Sequence, residues 1–326
     1  MKKKLISVGI IVVLLFISFE ILTESSSILE SMKFSMSTWA NNIFPALFPF
    51  FIISNLLINY GFVEFLGEIL RPLMYKLFKI KGEGGFVLAL SMISGFPSNA
   101  KYTRELLENG SINEQEASKL LTFTHFSNPL FIMGTIALTF LNNKEVGLLI
   151  LAVHYGTNLI IGLLFRNYYP SEKNTDKVSL RRALSKMHQK RMHNPNNFGQ
   201  ILTGAIQSTI SKLLLILGVV ALFLVLATII GNTVHLDAYN SSILSGILEI
   251  TGGLKKVAEI AIPLKNKAIL SAFFISFGGI SVHMQMVSII SDTKIKYFPF
   301  LVARILHGSI ASLLIYVLFD FYITLF

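Results

Sequence analysis

Four interruptions of apolar sequence, two in each half of the chain, limit its fold more tightly than any other feature. In the first half they are Ser94-Gly95-Phe96-Pro97-Ser98-Asn99 and Ser127-Asn128-Pro129; in the second they are Thr251-Gly252-Gly253 and Gly278-Gly279-Ile280-Ser281. Each stands where an apolar helix would otherwise run on. A helix that stops within hydrocarbon leaves free N–H groups at its start and free C=O groups at its end, and lipid satisfies neither. Such ends persist only against protein, water or a ligand. Broken helices at matching places in two halves are the sequence mark of the substrate site in secondary transporters.

That argument requires a membrane, and composition supplies one. With 53% apolar and 14% charged residues in 326, and a mean hydropathy of +0.64, there is too little polar surface to coat a soluble globule. A crossing takes roughly 17–25 residues to traverse about 30 Å of hydrocarbon. Apolar runs near that length cover Leu5–Leu22, Ile43–Ile58, Val146–Phe165, Leu213–Ile230 and Leu301–Phe319, whereas those near 84–97, 120–141, 242–250 and 268–290 are short or interrupted. The first run follows Lys2-Lys3-Lys4, as in a signal peptide, but no small-x-small cleavage site comes after it, so it is expected to stay as an anchor. Phe62–Lys81 mixes Glu64, Glu68, Arg71, Lys76 and Lys79 with large apolar residues around Pro72, the pattern of an amphipathic helix lying in the interface. The chain has no cysteine, so disulfides and thiolate metal sites are excluded.

Charge sets the expected orientation. Of the excess that gives a net +10, eight residues lie between 166 and 200: Arg166, Lys173, Lys177, Arg181, Arg182, Lys186, Lys190 and Arg191, against Glu172 and Asp176. Beside membrane spans this reads as a cytoplasmic loop attracted to anionic lipid rather than as a nucleic-acid site. With Lys2–Lys4 and this loop both inside, the Ile43 and Leu213 spans run in opposite directions, which makes the two halves inverted repeats. The expected fold is an all-α polytopic membrane protein with an inverted structural repeat and broken helices or re-entrant hairpins. Its parts are an anchor and external segment (1–40), a first repeat (41–165), the basic loop (166–200) and a second, inverted repeat (201–326). Ser94-Gly95 followed by Lys101 and Glu105 parallels Thr251-Gly252 followed by Lys255 or Lys256 and Glu259. The inversion places Lys255, Lys256, Lys265 and Lys267 outside, against the usual bias; either a span is misassigned or these lysines serve an anionic substrate.

The polar residues clustered on the breaks are the candidate lining for a polar, planar or anionic solute: Ser94, Ser98, Asn99, His125, Ser127, Asn128, Thr251, Ser281, His283 and Gln285. Ser, Thr and Asn at a break also cap helix ends with no further role. The amides of Asn128 and Gln285, carried into apolar segments, favour a site. Glu249, within Ile247-Leu248-Glu249-Ile250, either faces a cavity and takes a coupling proton or sodium ion, or lies near the surface paired with Lys255 or Lys256. His154 with Asn158, and Arg304 with His307, share helix faces and are expected to hydrogen-bond between helices. No enzyme is expected, and no cofactor, metal or catalytic residue: there is no His-Glu-x-x-His, no Gly-x-Ser-x-Gly, no phosphate-binding loop and no intramembrane aspartate pair. Transport would then be passive or ion-coupled.

Four motifs together carry a resemblance. Asn42-Ile43-Phe44-Pro45 with Pro49, Ile93-Ser94-Gly95-Phe96-Pro97-Ser98-Asn99-Ala100-Lys101, Phe126-Ser127-Asn128-Pro129, and Phe277-Gly278-Gly279-Ile280-Ser281-Val282-His283-Met284-Gln285 are similar to the YlbJ (SpoVV) family of sporulation integral membrane proteins, from about residue 40 onward. That family carries a nucleoside-recognition Gate domain related to concentrative nucleoside transporters. The resemblance implies a protein of the outer, mother-cell-derived forespore membrane that moves dipicolinate, a planar pyridine with two carboxylates. Lys101, His283 and the amides of Asn99, Asn128 and Gln285 suit such a ligand, and Phe96 or Phe126 would stack on its ring. Nucleosides remain an alternative cargo, a homo-oligomer is left open, and a non-transporting scaffold for spore assembly is the rival from another class.

Overall fold

The computed structural model describes residues 2–172 and 178–325, so Lys173, Asp176 and Lys177 lie outside the described residues. The chain is all-helical, with no strand among the described residues. Helix α1 (Lys2–Thr23) buries none of its apolar span, as a lipid-facing anchor should. Helices α2 (Ser25–Thr38) and α3 (Phe44–Asn59) are joined by a π-helical turn, Trp39–Ile43, and bent by 52°. After α4 (Phe62–Phe78), helices α5 (Gly84–Ser94) and α6 (Ser98–Glu108) fold back on each other, with the Phe86 and Tyr102 rings 5.7 Å apart. Helix α7 (Glu114–Phe123) starts from a capping box between Asn113 and Glu116, unwinds over 124–128 and resumes as π-helical Phe131–Phe140. Helix α8 (Lys144–Leu164) then returns.

Within the basic segment lies a helix, α9 (Leu180–His193), which docks on α4. Glu68 of α4 is buried and meets Lys186 Nζ at 3.0 Å, Arg71 at 3.2 Å and Arg182 at 3.7 Å, while Lys190 reaches Glu64 at 3.6 Å. Burial pushes the Glu68 carboxyl up, but the hydrogen bond and charge of Lys186, with Arg71 and Arg182, outweigh it and hold the group below the ordinary carboxylate range. A carboxyl depressed in the folded state adds stability above its unfolded value and loses it as pH falls through the folded one. Acidification below about pH 4 should therefore undock α9. The measurement is the rate of protease cleavage within 180–193 in proteoliposomes; Glu68→Gln should cleave fast already at neutral pH and show no further acid dependence.

Helix α10 (Phe198–Val234) opens with a second capping box, Asn197 with Gln200, and is long enough to cross and project. Residues 25–38, expected as an external segment, instead form α2 packed along it: Ile28 clusters with Val225 and Ile229, and Ser31 Oγ lies 2.8 Å from Thr228 Oγ1. Helices α11 (Ala238–Leu248) and α12 (Ile250–Glu259) make a second hairpin. Its break falls at Glu249, in extended conformation, and not at Thr251-Gly252-Gly253, which form the first turn of α12. The glycines are there for approach: a Cβ on Gly253 would lie 2.1 Å from Gly246 Cα. Helices α13 (Leu264–Phe277) and α14 (Gly279–Ile290) are parted only by Gly278 at φ +95°, and together form one span of 27 residues where a short, interrupted piece was expected. Helix α15 (Tyr297–Ile323) closes the chain.

The two largest apolar clusters among the described residues divide the rest: one gathers α4 to α7 with α14 and the start of α15; the other gathers 131–140, α8, α12, α13 and the rest of α15, while a smaller one joins α3 to α10. Each half thus contributes a hairpin, a broken span and a full-length helix in the same order. Lys255, Lys256, Lys265 and Lys267 cluster around the α12–α13 connection, and each has a local partner: Glu259, Ser241 Oγ, Asp320 and the Ala258 carbonyl.

Candidate functional site

The four breaks meet at the centre of the bundle, where the orphaned backbone groups of one are met by another. Gly95 turns the first hairpin at φ +74°, and a Cβ there would lie 2.6 Å from the Asn128 nitrogen, so only glycine fits. Phe96 N–H then donates to the Phe126 carbonyl at 2.7 Å, and Asn128 Nδ2 to the Ile93 carbonyl at 2.9 Å. The Tyr155 hydroxyl donates to the carbonyls of Met92 and Ser127. The tip of the second hairpin packs in the same way on the second broken span, Ile250 Cγ2 lying 3.2 Å from where Gly279 would carry a Cβ.

The two broken spans are joined by Arg304 of α15, which is fully buried. Its guanidinium donates to the carbonyls of Thr122, His125 and Ser276, to Asn158 Oδ1 at 3.0 Å and to His307 Nδ1 at 2.7 Å. These carbonyls are C-terminal ends that lipid would leave unsatisfied. Asn158 Nδ2 donates to the His125 carbonyl at 2.6 Å. His154 Nε2 accepts from Ser127 N–H at 2.9 Å, which puts its proton on Nδ1, facing Ser276 Oγ at 2.9 Å. His307, with Nδ1 accepting from Arg304, donates from Nε2 to the His154 carbonyl at 2.9 Å. Both polar pairs on α8 and α15 therefore serve packing between helices, as expected of them.

A narrow cavity of about 60 Å³ opens among the breaks, lined by Asn42, Phe96, Ser127, Asn128, Glu249, Thr251 and Gln285 with apolar Phe131, Ile216 and Val220. A cavity of about 300 Å³ adjoins it towards the first half of α10, sharing Ile216 and Gln285 and reaching Ser98, Lys101 and Lys212. A third, about 290 Å³, lies beyond it towards the end of α10, lined by Leu224, Thr228, Gly252, Lys255, Lys256 and Glu259. The two flanking cavities are of the size of small-molecule sites, and the central one is a waist between them.

Of the candidates read from sequence, Ser127, Asn128, Glu249, Thr251 and Gln285 face the waist, and Ser98 and Lys101 the adjoining cavity. Asn128 is a brace as much as a lining residue, since Oδ1 also accepts from Leu130 N–H at 2.7 Å. Gln285 borders both cavities and makes no side-chain hydrogen bond among the described residues. Glu249 is buried and not near the surface. Its Oε2 caps α12 by accepting from Gly252 N–H at 2.8 Å, and neither Lys255 nor Lys256 pairs with it. Ser94, Asn99, Ser281 and His283 line neither cavity. Ser94 donates back to the Leu90 carbonyl, and both ring nitrogens of His283 are engaged, with the Tyr297 hydroxyl at 2.8 Å and the Phe277 carbonyl at 2.9 Å. His125 stacks behind Phe96 with ring centres 4.8 Å apart. Lys212, Ile216 and Val220 are additions from α10 that the breaks alone do not reveal.

Re-entrant hairpins, broken spans and a central cavity define a polytopic integral membrane protein of the broken-helix class. Residues 40–144 match the family described as Gate, nucleoside recognition. Across 328 aligned residues the chain is 36% identical to the "Sporulation integral membrane protein YlbJ" of Bacillus subtilis (strain 168), covering 93% of this chain and 80% of that protein. The chain belongs to this family of sporulation integral membrane proteins. No solved structure matches it.

Proposed function

We propose that the protein is a secondary transporter that moves a small anionic solute by alternating access through the waist between its broken helices. One observation carries the reading: the three cavities follow one another along the length of α10. Ser208, Lys212 and Ile216 line the first, Ile216 and Val220 the waist, and Leu224, Thr228 and Gly231 the last. From Ser208 to Gly231 that stretch of helix runs about 35 Å, the depth of a bilayer. The repeated order of hairpin, broken span and full helix supports an inverted repeat as the moving framework, and the basic face carrying α9 would be cytoplasmic. Aromatic walls with a few polar groups suit a flat, polar cargo. Dipicolinate, moved across the outer forespore membrane, is the cargo and setting that the family resemblance implies. Glu249 is the residue to hold the coupling proton or sodium ion, because it is buried at the waist with no cation within ion-pair distance among the described residues.

The Gate description favours nucleosides as the second reading. The test is uptake of dipicolinate into proteoliposomes with trapped terbium, with uridine as competitor. Wild-type protein should raise luminescence above empty liposomes, Gln285→Leu should abolish the rise while staying monodisperse, and Glu249→Gln should remove the response to an imposed ion gradient. Block by equimolar uridine would favour nucleoside carriage. No uptake under either a proton or a sodium gradient would move the protein to the scaffold class.

A further inference from the structure

Two lysines, Lys101 and Lys212, line the cavity between α6 and α10 together with the carboxylate of Glu105. Lys101 Nζ donates to Asn55 Oδ1 at 2.9 Å and lies 3.3 Å from Glu105 Oε1. Lys212 Nζ donates to Ser208 Oγ at 2.8 Å and lines the same cavity as Lys101. Both lysines are partly buried. The other cation of this wall is already spent: Arg104 grips Asp292 with two bonds of 2.8 Å, Glu108 at 2.6 Å and the Ile289 carbonyl at 2.7 Å. Glu108 is likewise taken up by Arg104. Of the residues that line the recess, Lys101, Arg104 and Lys212 stand against Glu105 and Glu108, one positive charge in excess, among the apolar walls of Phe51, Tyr102, Leu215 and Ile289; Asp292, which balances it, lies on Arg104 outside the lining.

Like charges brought together in a poorly hydrated recess repel, and an anion placed between them converts that repulsion into two charge-assisted hydrogen bonds. We propose that Lys101 and Lys212 form an anion-loading site, in which one carboxylate of a small aromatic acid bridges the two ammonium groups while its ring lies against the apolar wall. The cavity has the volume for such a ligand, which the waist lacks, and it opens onto the waist at Gln285 and Ile216. The inference rests on the transport reading for its purpose but not for its chemistry, because a site of this charge and shape binds anions whether or not they move on.

The experiment is site-resolved acetylation of the full-length protein in detergent by sulfosuccinimidyl acetate, read by peptide mass spectrometry, with uptake measured on the same preparation. Pyridine-2,6-dicarboxylate should slow acetylation of Lys212 and Lys101 by about tenfold at ten times its dissociation constant. Pyridine-2,6-dicarboxamide, its neutral counterpart, should give no protection. Lys101→Met should remove protection at Lys212, while the wild-type arm needs no variant to fold. Equal protection by the dicarboxamide, or no protection by any anion, overturns the site. Protection by dihexanoyl phosphatidylglycerol alone assigns the pair to a lipid headgroup and overturns it too. Uptake without protection leaves transport standing and the loading site refuted; protection without uptake does the reverse.

Discussion

Replacing Arg304 with alanine is expected to leave little folded protein. The guanidinium is fully buried and supplies the donors for the carbonyls of Thr122, His125 and Ser276, and for Asn158 and His307. Alanine would take away the donor of the Thr122 and Ser276 carbonyls and leave that of His125 to Asn158 alone. Each buried unsatisfied acceptor costs about 1–3 kcal/mol, so the two together cost roughly 2–6 kcal/mol. That is a large share of the whole stability of an ordinary domain, about 5–15 kcal/mol. Arg304→Lys should recover only part of the loss, since one ammonium cannot reproduce five donors in a planar fork. Fluorescence-detected size exclusion of the tagged variants after a temperature series measures this. An alanine variant as monodisperse and heat-resistant as the wild type would show that the broken spans are held by something other than this residue. The expected pattern separates Arg304 from Gln285, whose replacement should remove uptake and spare the fold.

Much of this architecture was legible, for reasons particular to each element. Gly95, at positive φ, and Pro97 and Pro129, which have no N–H to give a helix, mark the first two breaks, and the structure places them there. The third break falls at Glu249 and not at Gly252-Gly253: these glycines are helical and admit Leu224 and Gly246 at close range, while the chain turns at Glu249, whose carboxylate caps the next helix. The lining stripe of α10, Ser208, Lys212, Ile216, Val220, Leu224 and Thr228 at intervals of four, stands in the sequence with polar residues at its two ends. It was hidden because an apolar run long enough to cross explains itself. Arg304 was legible as a cation on a span, but its carbonyl partners at the end of α7 and in the unwound stretch after it lie about 180 residues away in sequence, beyond any periodicity. His283 and Asn99 failed as lining residues because a polar residue beside a break is as readily turned into the protein as towards a solute.

On the transport reading, the largest functional effects are expected at Leu224. Leu224 borders the cavity at the end of α10 and packs against Gly252, where an added Cβ would lie 2.3 Å from Leu224 Cδ2. Thr251 and Glu249, shortly before Gly252, face the waist. One leucine against one bare stretch of backbone would then be the closing point, an apolar constriction of the kind that shuts by excluding water. Leu224→Ala should open it, giving uptake that continues without an ion gradient, at a packing cost of about 2–5 kcal/mol that a thermal shift would register. Gly252→Leu should do the opposite. A side chain wedged between α10 and α12 fills the seam, so uptake falls to that of empty liposomes while acetylation of Lys212 on the other side of the waist remains sensitive to anions. Gradient-free flux through the two variants, at matched amounts of monodisperse protein, is the deciding measurement. If Leu224→Ala stays as tightly coupled as the wild type, the closing point lies elsewhere along α10, with Val220, which lines the waist together with Ile250, the next candidate.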